Sequence, residues 1–173
     1  MIERDDDAFY EASVPVLAHY LVRIGAILDA VPNDAPLGAR LAPGMFTGAE
    51  QFAVAQGFAL RAIFPLLGRA VPDLPEGEGG RVDLMARNTA ALAIVSGLDR
   101  DDFEGAAGRV VRHEAGFAML EQRAWEYLTR YALPNFFFHY SMGYAVLRSA
   151  GMPLGKADFD GLHSYPPGFR FED

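Results

Sequence analysis

The chain has 173 residues, 51% of them hydrophobic, enough for one sizeable core and short for two, so a single domain over residues 1–173 is expected. Its 23 acidic and 15 basic residues give a net charge of −8 and a pI near 4.9, a surface that repels phosphate backbones and anionic membranes. The absence of cysteine excludes disulfides, a thiol nucleophile and thiolate metal ligation.

The N-terminus, MIERDDD, is acidic and has no apolar segment behind a basic one, so it does not read as a secretory signal. No uninterrupted apolar run approaches the roughly 20 residues of a membrane helix. The expectation is a soluble cytoplasmic protein with neither nucleic acid nor membrane as partner. The run Asp5–Asp7 reads as a solvated lead-in. Phe9, Ala12, Val16, Leu17, Tyr20, Leu21, Ile24, Ile27, Leu28 and Val31 then recur at helical spacing and predict a first amphipathic helix from about Ala8 to Ala30. With Ser13 as N-cap, Pro15 falls in the first turn; with an earlier start, Pro15 kinks the helix. His19 lies off the main stripe and reads as a partly exposed histidine.

A Pro-, Gly- and Ala-rich connection over Pro32–Gly48 leads to Thr47 and Glu50, whose spacing is that of a capping box. A second helix over Gly48–Leu67 follows, with the core stripe Phe52, Ala55, Ala59, Ile63 and Leu66, widened by Phe58 and Ala62. Gln51 stands at the stripe's edge and could reach the interior, although a flank glutamine bonded to backbone or water is the commoner case. After the turn-forming linker Ala70–Gly80, a third helix over Val82–Ser96 repeats Val82, Met85, Thr89, Leu92 and Val95, leaving Arg81, Asp83, Arg87 and Asn88 solvated. The run RVVRHEAGFAML fits a small hairpin around a three-residue turn, Glu114-Ala115-Gly116, with His113 exposed beside it.

Glu121–Ala132 reads as helical, carrying Trp125, Tyr127 and Tyr131 as large groups whose polar tips need partners. It runs into the central helix. From Pro134 to Arg148 that helix is apolar on nearly every side and is expected to be enclosed by the others. Pro134 marks a start or kink, and Gly151 with Pro153 marks the stop. Asn135 and His139, four apart, share a face inside this apolar helix, and Gly143 one turn on leaves room for another backbone. The tail from Lys156, with Phe159, His163, Tyr165, Phe169 and Phe171 among Gly and Pro, reads as extended and packed on the bundle or on a second subunit.

These elements predict a mainly all-α protein, a four-helix bundle with a small hairpin or loop before the last helix. The segments ASVPV (12–16), LGARLAPGMF (37–46), ALPNFFFHYSMGYAVLRSAG (132–151) and LGKADFDG (154–161) resemble a bacterial domain-of-unknown-function family within the DinB/YfiT-like superfamily. That resemblance implies an up-and-down bundle, frequently a homodimer. It also implies a divalent metal held by three histidines, one from the second helix and two, four residues apart, from the last. His139 stands where the later of that pair falls, Asn135 where the earlier one does, and Gln51 is the nearest polar group on the second helix. Amide oxygens replace imidazole poorly for zinc or nickel, and no carboxylate joins the Asn135/His139 face to suit magnesium or calcium.

Two function classes follow. The first is a non-catalytic or small-molecule-binding homodimeric module with a degenerate, incomplete metal site. The second is an enzyme in which His139 acts as ligand or general base and Asn135, Gln51, Tyr140 or Tyr144 orients a substrate. For this class the resemblance suggests thiol-dependent transfer or hydrolysis. No Gly-rich phosphate loop, paired inward carboxylates or Ser-His-Asp arrangement can be picked out.

Overall fold

Helical periodicity accounts for the long elements, and the connections decide which faces meet. The computed structural model describes residues 3–166 and Phe169. In it α1 spans Glu3–Ala30, α2 Gly48–Arg61 and α3 Arg81–Ser96. A hairpin of β1 (Val110–Ala115) and β2 (Ala118–Arg123) precedes α4 (Ala124–Glu126), a π-helical stretch (Tyr127–Ala132), α5 (Leu133–Ser149) and the short α6 (Lys156–Asp160). α2 packs chiefly on α5 and α1 on α3, with α2 also meeting α3 and α6 closing against α1. The expected mainly helical bundle with a hairpin before the last long helix is thus present.

α1 begins earlier than its apolar stripe. Ser13 is not a cap: it is buried, and its hydroxyl donates to the Phe9 carbonyl one turn back at 2.5 Å. Pro15 therefore lies inside the helix, at an exposed position where the Glu11 carbonyl it leaves without a helical donor can turn to water. Asp6 also departs from the solvated lead-in. It is buried and accepts from the N–H groups of Gly105 at 2.9 Å and Ala107 at 2.7 Å, fixing the loop before the hairpin, while Asp7 stays exposed. By length and a mean hydropathy of 1.3, Asp6–Ala30 would suit a membrane span. Its Leu17, Leu21, Ile24 and Leu28 are fully buried in the bundle, and a core helix passes the same test.

The capping box of α2 is formed: Glu50 N–H donates to Thr47 Oγ1 at 3.1 Å, and Thr47 N–H to Glu50 Oε2 at 2.7 Å. The α-helix ends at Arg61 rather than Leu67, because Pro65 cannot donate, and tighter turns carry Ile63 and Leu66 into the core.

α3 turns a different face inward from the one its apolar stripe suggested. Leu84, Asn88, Ala91 and Val95 are buried, whereas Val82 is 74% exposed. Asn88, expected in solvent, is 4% exposed. Its Nδ2 donates to the Leu21 carbonyl at 2.9 Å, and Gln56 Nε2 donates to the Leu84 carbonyl at 3.0 Å. Those bonds offset the burial of the two amide nitrogens, and polarity alone could not reveal them. Gln56 Oε1 is buried without a partner among the described residues.

The hairpin turn is two residues, Gly116-Phe117, with Ala115 paired to Ala118 and Gly116 at φ +61°. β2 runs to Arg123, through residues that read as helical. Trp125 is half-exposed and meets Phe9 edge-on, centroids 5.2 Å apart.

The wide π-helical turn ahead of Pro134 gives its ring room beside the preceding turn, so the segment continues as one helix into α5. α5 is not enclosed all round. Phe136, Tyr140, Gly143, Val146 and Leu147 are buried, but Phe138 is 52% exposed. At Gly143 a side chain, not a backbone, approaches: the Phe52 ring lies 3.0 Å from where a Cβ would stand. Gly151, at φ +89°, stops the helix as expected.

The tail, read as extended, folds into α6, which packs on α1. Phe159 stacks on Tyr140 with centroids 4.3 Å apart, and His19 Nε2 bonds the Asp160 carbonyl at 2.7 Å. Burial pushes the Asp160 carboxyl up, but the N–H groups of Leu162 and His163 and the His163 ring outweigh it and hold the pKa at about 2. Phe171 lies outside the described residues.

Candidate functional site

The capping box fixes the first turn of α2, and one position on it aims the Gln51 side chain inward, where it is 2% exposed. α5 brings His139 opposite. His139 Nδ1 lies 2.7 Å from Gln51 Oε1. An amide oxygen only accepts, so the imidazole donates through Nδ1 and keeps Nε2 as its acceptor. The ring is half-buried, stacked on Phe58 at 5.8 Å and 15°, with Phe46 at 6.2 Å. Burial holds its pKa below the ordinary histidine value, and the Arg61 charge lowers it further.

Of the other predicted site residues, Asn135 is spent within its own helix: its Nδ2 donates to the Tyr131 carbonyl at 2.7 Å. Tyr140 is buried and donates to the Phe159 carbonyl at 2.7 Å, with its pKa pushed up by burial. Tyr144 meets Phe159 edge-on at 5.4 Å. The two tyrosines therefore serve the contact with α6.

The structure adds groups that the sequence left aside. Arg61 Cζ sits 4.4 Å from the Phe58 ring centroid, and the Tyr131 ring is 5.9 Å from Phe58. Tyr131 in turn contacts His113 at 4.2 Å. His113 is not the exposed turn residue expected. It is half-buried against Tyr127 and Tyr131, and its Nε2 lies 2.8 Å from Gln122 Oε1. The Tyr127 hydroxyl donates to the Arg61 carbonyl at 2.6 Å, and that of Tyr131 to the Glu114 carbonyl at 3.2 Å. A continuous aromatic row thus links the hairpin to His139. The i, i+3 pair Phe58/Arg61 and the i, i+4 pair Tyr127/Tyr131 were visible signals; their meeting with His113 was not.

These donors do not fit a divalent ion. Among the described residues no three His, Cys, Asp or Glu side chains group so as to hold one. His139 offers a single nitrogen, the Gln51 oxygen is already engaged, the Asn135 amide is bonded to its own helix, and the nearby Arg61 charge opposes a cation.

The architecture is that of a DinB-like helical bundle. A crystal structure of a DinB family member protein from Shewanella denitrificans is similar at TM-score 0.81 and 24% identity, covering 96% of this chain and 99% of that one, a likeness of fold. The chain belongs to the family described as a domain of unknown function (DUF1993), which it matches over residues 9–160. The search of curated proteins gave no match.

Proposed function

We propose that the protein is a small-molecule-binding or non-catalytic homodimeric module in which the Gln51/His139 pair takes the place of a degenerate metal site. The observation that carries this reading is the 2.7 Å bond from His139 Nδ1 to Gln51 Oε1. It satisfies the buried amide oxygen of Gln51 and sets the ring's tautomer without an ion. The net charge of −8 supports a protein that binds neither nucleic acid nor anionic membrane.

Elemental analysis after incubation with zinc, nickel and manganese and then desalting tests the reading, with His139→Ala as control. No retained metal in either sample is expected. Stoichiometric metal that disappears in the variant would overturn it. Sedimentation equilibrium checks the assembly, for which twice the chain mass is expected and the chain mass alone would refute the dimer.

One observation favours an enzyme as second reading. A half-buried imidazole with a depressed pKa, oriented through Nδ1 and free at Nε2, has the form of a general base. Thiol-dependent transfer or hydrolysis is then the reaction class. Activity on a broad substrate panel that vanishes in His139→Ala would put this reading first.

A further inference from the structure

Six arginines, Arg40, Arg69, Arg81, Arg100, Arg112 and Arg130, pair with carboxylates, as an acidic chain would lead one to expect. Among the described residues Arg23, Arg61, Arg87, Arg109, Arg123 and Arg148 make no ion pair. Of these, Arg61 and Arg87 are brought together across Gly57 by α2 and α3. Arg61 Nη2 lies 2.9 Å and Arg87 Nη2 3.6 Å from the point where a Cβ on Gly57 would stand. Residue 57 thus leaves open the space into which both forks project.

Each cation is also short of partners. Arg61 rests on the Phe58 ring, with no hydrogen bond from its guanidinium among the described residues. Arg87 donates from Nη1 to the Pro75 carbonyl at 3.1 Å, while its Nε is buried without a partner. The two side chains line a cleft of about 320 Å³, walled by Leu60, Val71 and Leu74 and edged by the carboxylates of Asp73 and Glu76. Repulsion from Arg61 and the partial burial of Arg87 are held in place there with no carboxylate within ion-pair distance among the described residues, while Arg61 itself stays exposed. Two converging forks of N–H donors match the oxygens of a carboxylate or phosphate, and the apolar wall suits the carbon skeleton that carries it.

We infer that Arg61 and Arg87 form a binding site for the oxyanion group, carboxylate or phosphate, of a small organic molecule. The site adjoins the Gln51/His139 pair across the Phe58 ring but does not rest on that reading. Glu76 on the rim competes for Arg87 and weakens the anion's hold.

The test is isothermal titration of the full chain with sodium benzoate and, separately, sodium phosphate, at constant ionic strength set with sodium chloride. Saturable binding of at least one is expected; benzoate alone identifies a carboxylate ligand, phosphate alone a phosphoryl group. Arg61→Gln and Arg87→Gln should each weaken it roughly tenfold or more. Glu76→Gln should tighten it several-fold, a gain that misfolding cannot imitate, and His139→Ala should leave it unchanged. Binding of neither anion by the unmodified chain overturns the proposal. So does binding indifferent to both arginines, or binding lost in His139→Ala while kept in Arg87→Gln.

Discussion

His139 Nδ1 and Gln51 Oε1, 2.7 Å apart, tie the middle of α5 to the first turn of α2 through the only imidazole on either helix. Because burial lowers the ring's pKa from 6.5, the folded protein prefers it neutral and the unfolded chain takes up the proton first as pH falls. This contribution to stability is complete above about pH 6.5 and is lost as pH falls toward the folded-state value. Melting temperatures measured between about pH 5 and pH 8 should fall on the acid side. The fall should be smaller in Gln51→Leu/His139→Phe, and an unchanged slope there would remove the histidine from the account.

A Cβ at position 143 would stand 3.0 Å from the fully buried Phe52 ring, and a ring locked in a packed core cannot give way easily. Gly143→Ala should destabilise by about 1–3 kcal/mol in urea unfolding. Adding Phe52→Leu should recover part of that loss. If alanine alone is neutral, the close approach of α2 and α5 is not what the glycine serves.

α3 offers a test of which face is inside. Asn88→Ala removes a buried donor from the Leu21 carbonyl and should cost about 1–3 kcal/mol. Val82→Ser, at a largely exposed position, should stay within about 0.5 kcal/mol of the original. The reverse ranking would restore the face that the apolar pattern suggested.

Tyr140→Phe breaks the bond to the Phe159 carbonyl and should cost about 1 kcal/mol by chemical denaturation. Proteolysis should cut first in the loosened segment around α6. Anion binding should not change, since Tyr140 lies in the contact with α6; a change would bring Tyr140 back into the pocket.

Much of this was legible because it is local. The Thr47/Glu50 capping box, the stripe from Phe52 to Leu66, the stop at Gly151 and the family resemblance in residues 132–151 all lie within a few turns of chain. The errors have one origin, that burial is decided by the partner. Asn88 and Asp6 look like surface residues until the Leu21 carbonyl and the N–H groups of Gly105 and Ala107, tens of residues away, satisfy them. Phe138 looks like core in an apolar helix, but among the described residues no element buries it, and it is 52% exposed.

For the candidate site the division is the same. The sequence by itself placed Asn135 and His139 on one face of an apolar helix and Gln51 at the edge of a core stripe, since a 3.6-residue period shows which positions share a face. Only the tertiary structure decided that Gln51 meets His139 while Asn135 turns to Tyr131, and that Arg61 and Arg87 converge across Gly57. The spacing of residues along one helix follows from covalent geometry, whereas the distance between two helices depends on how all the side chains between them pack.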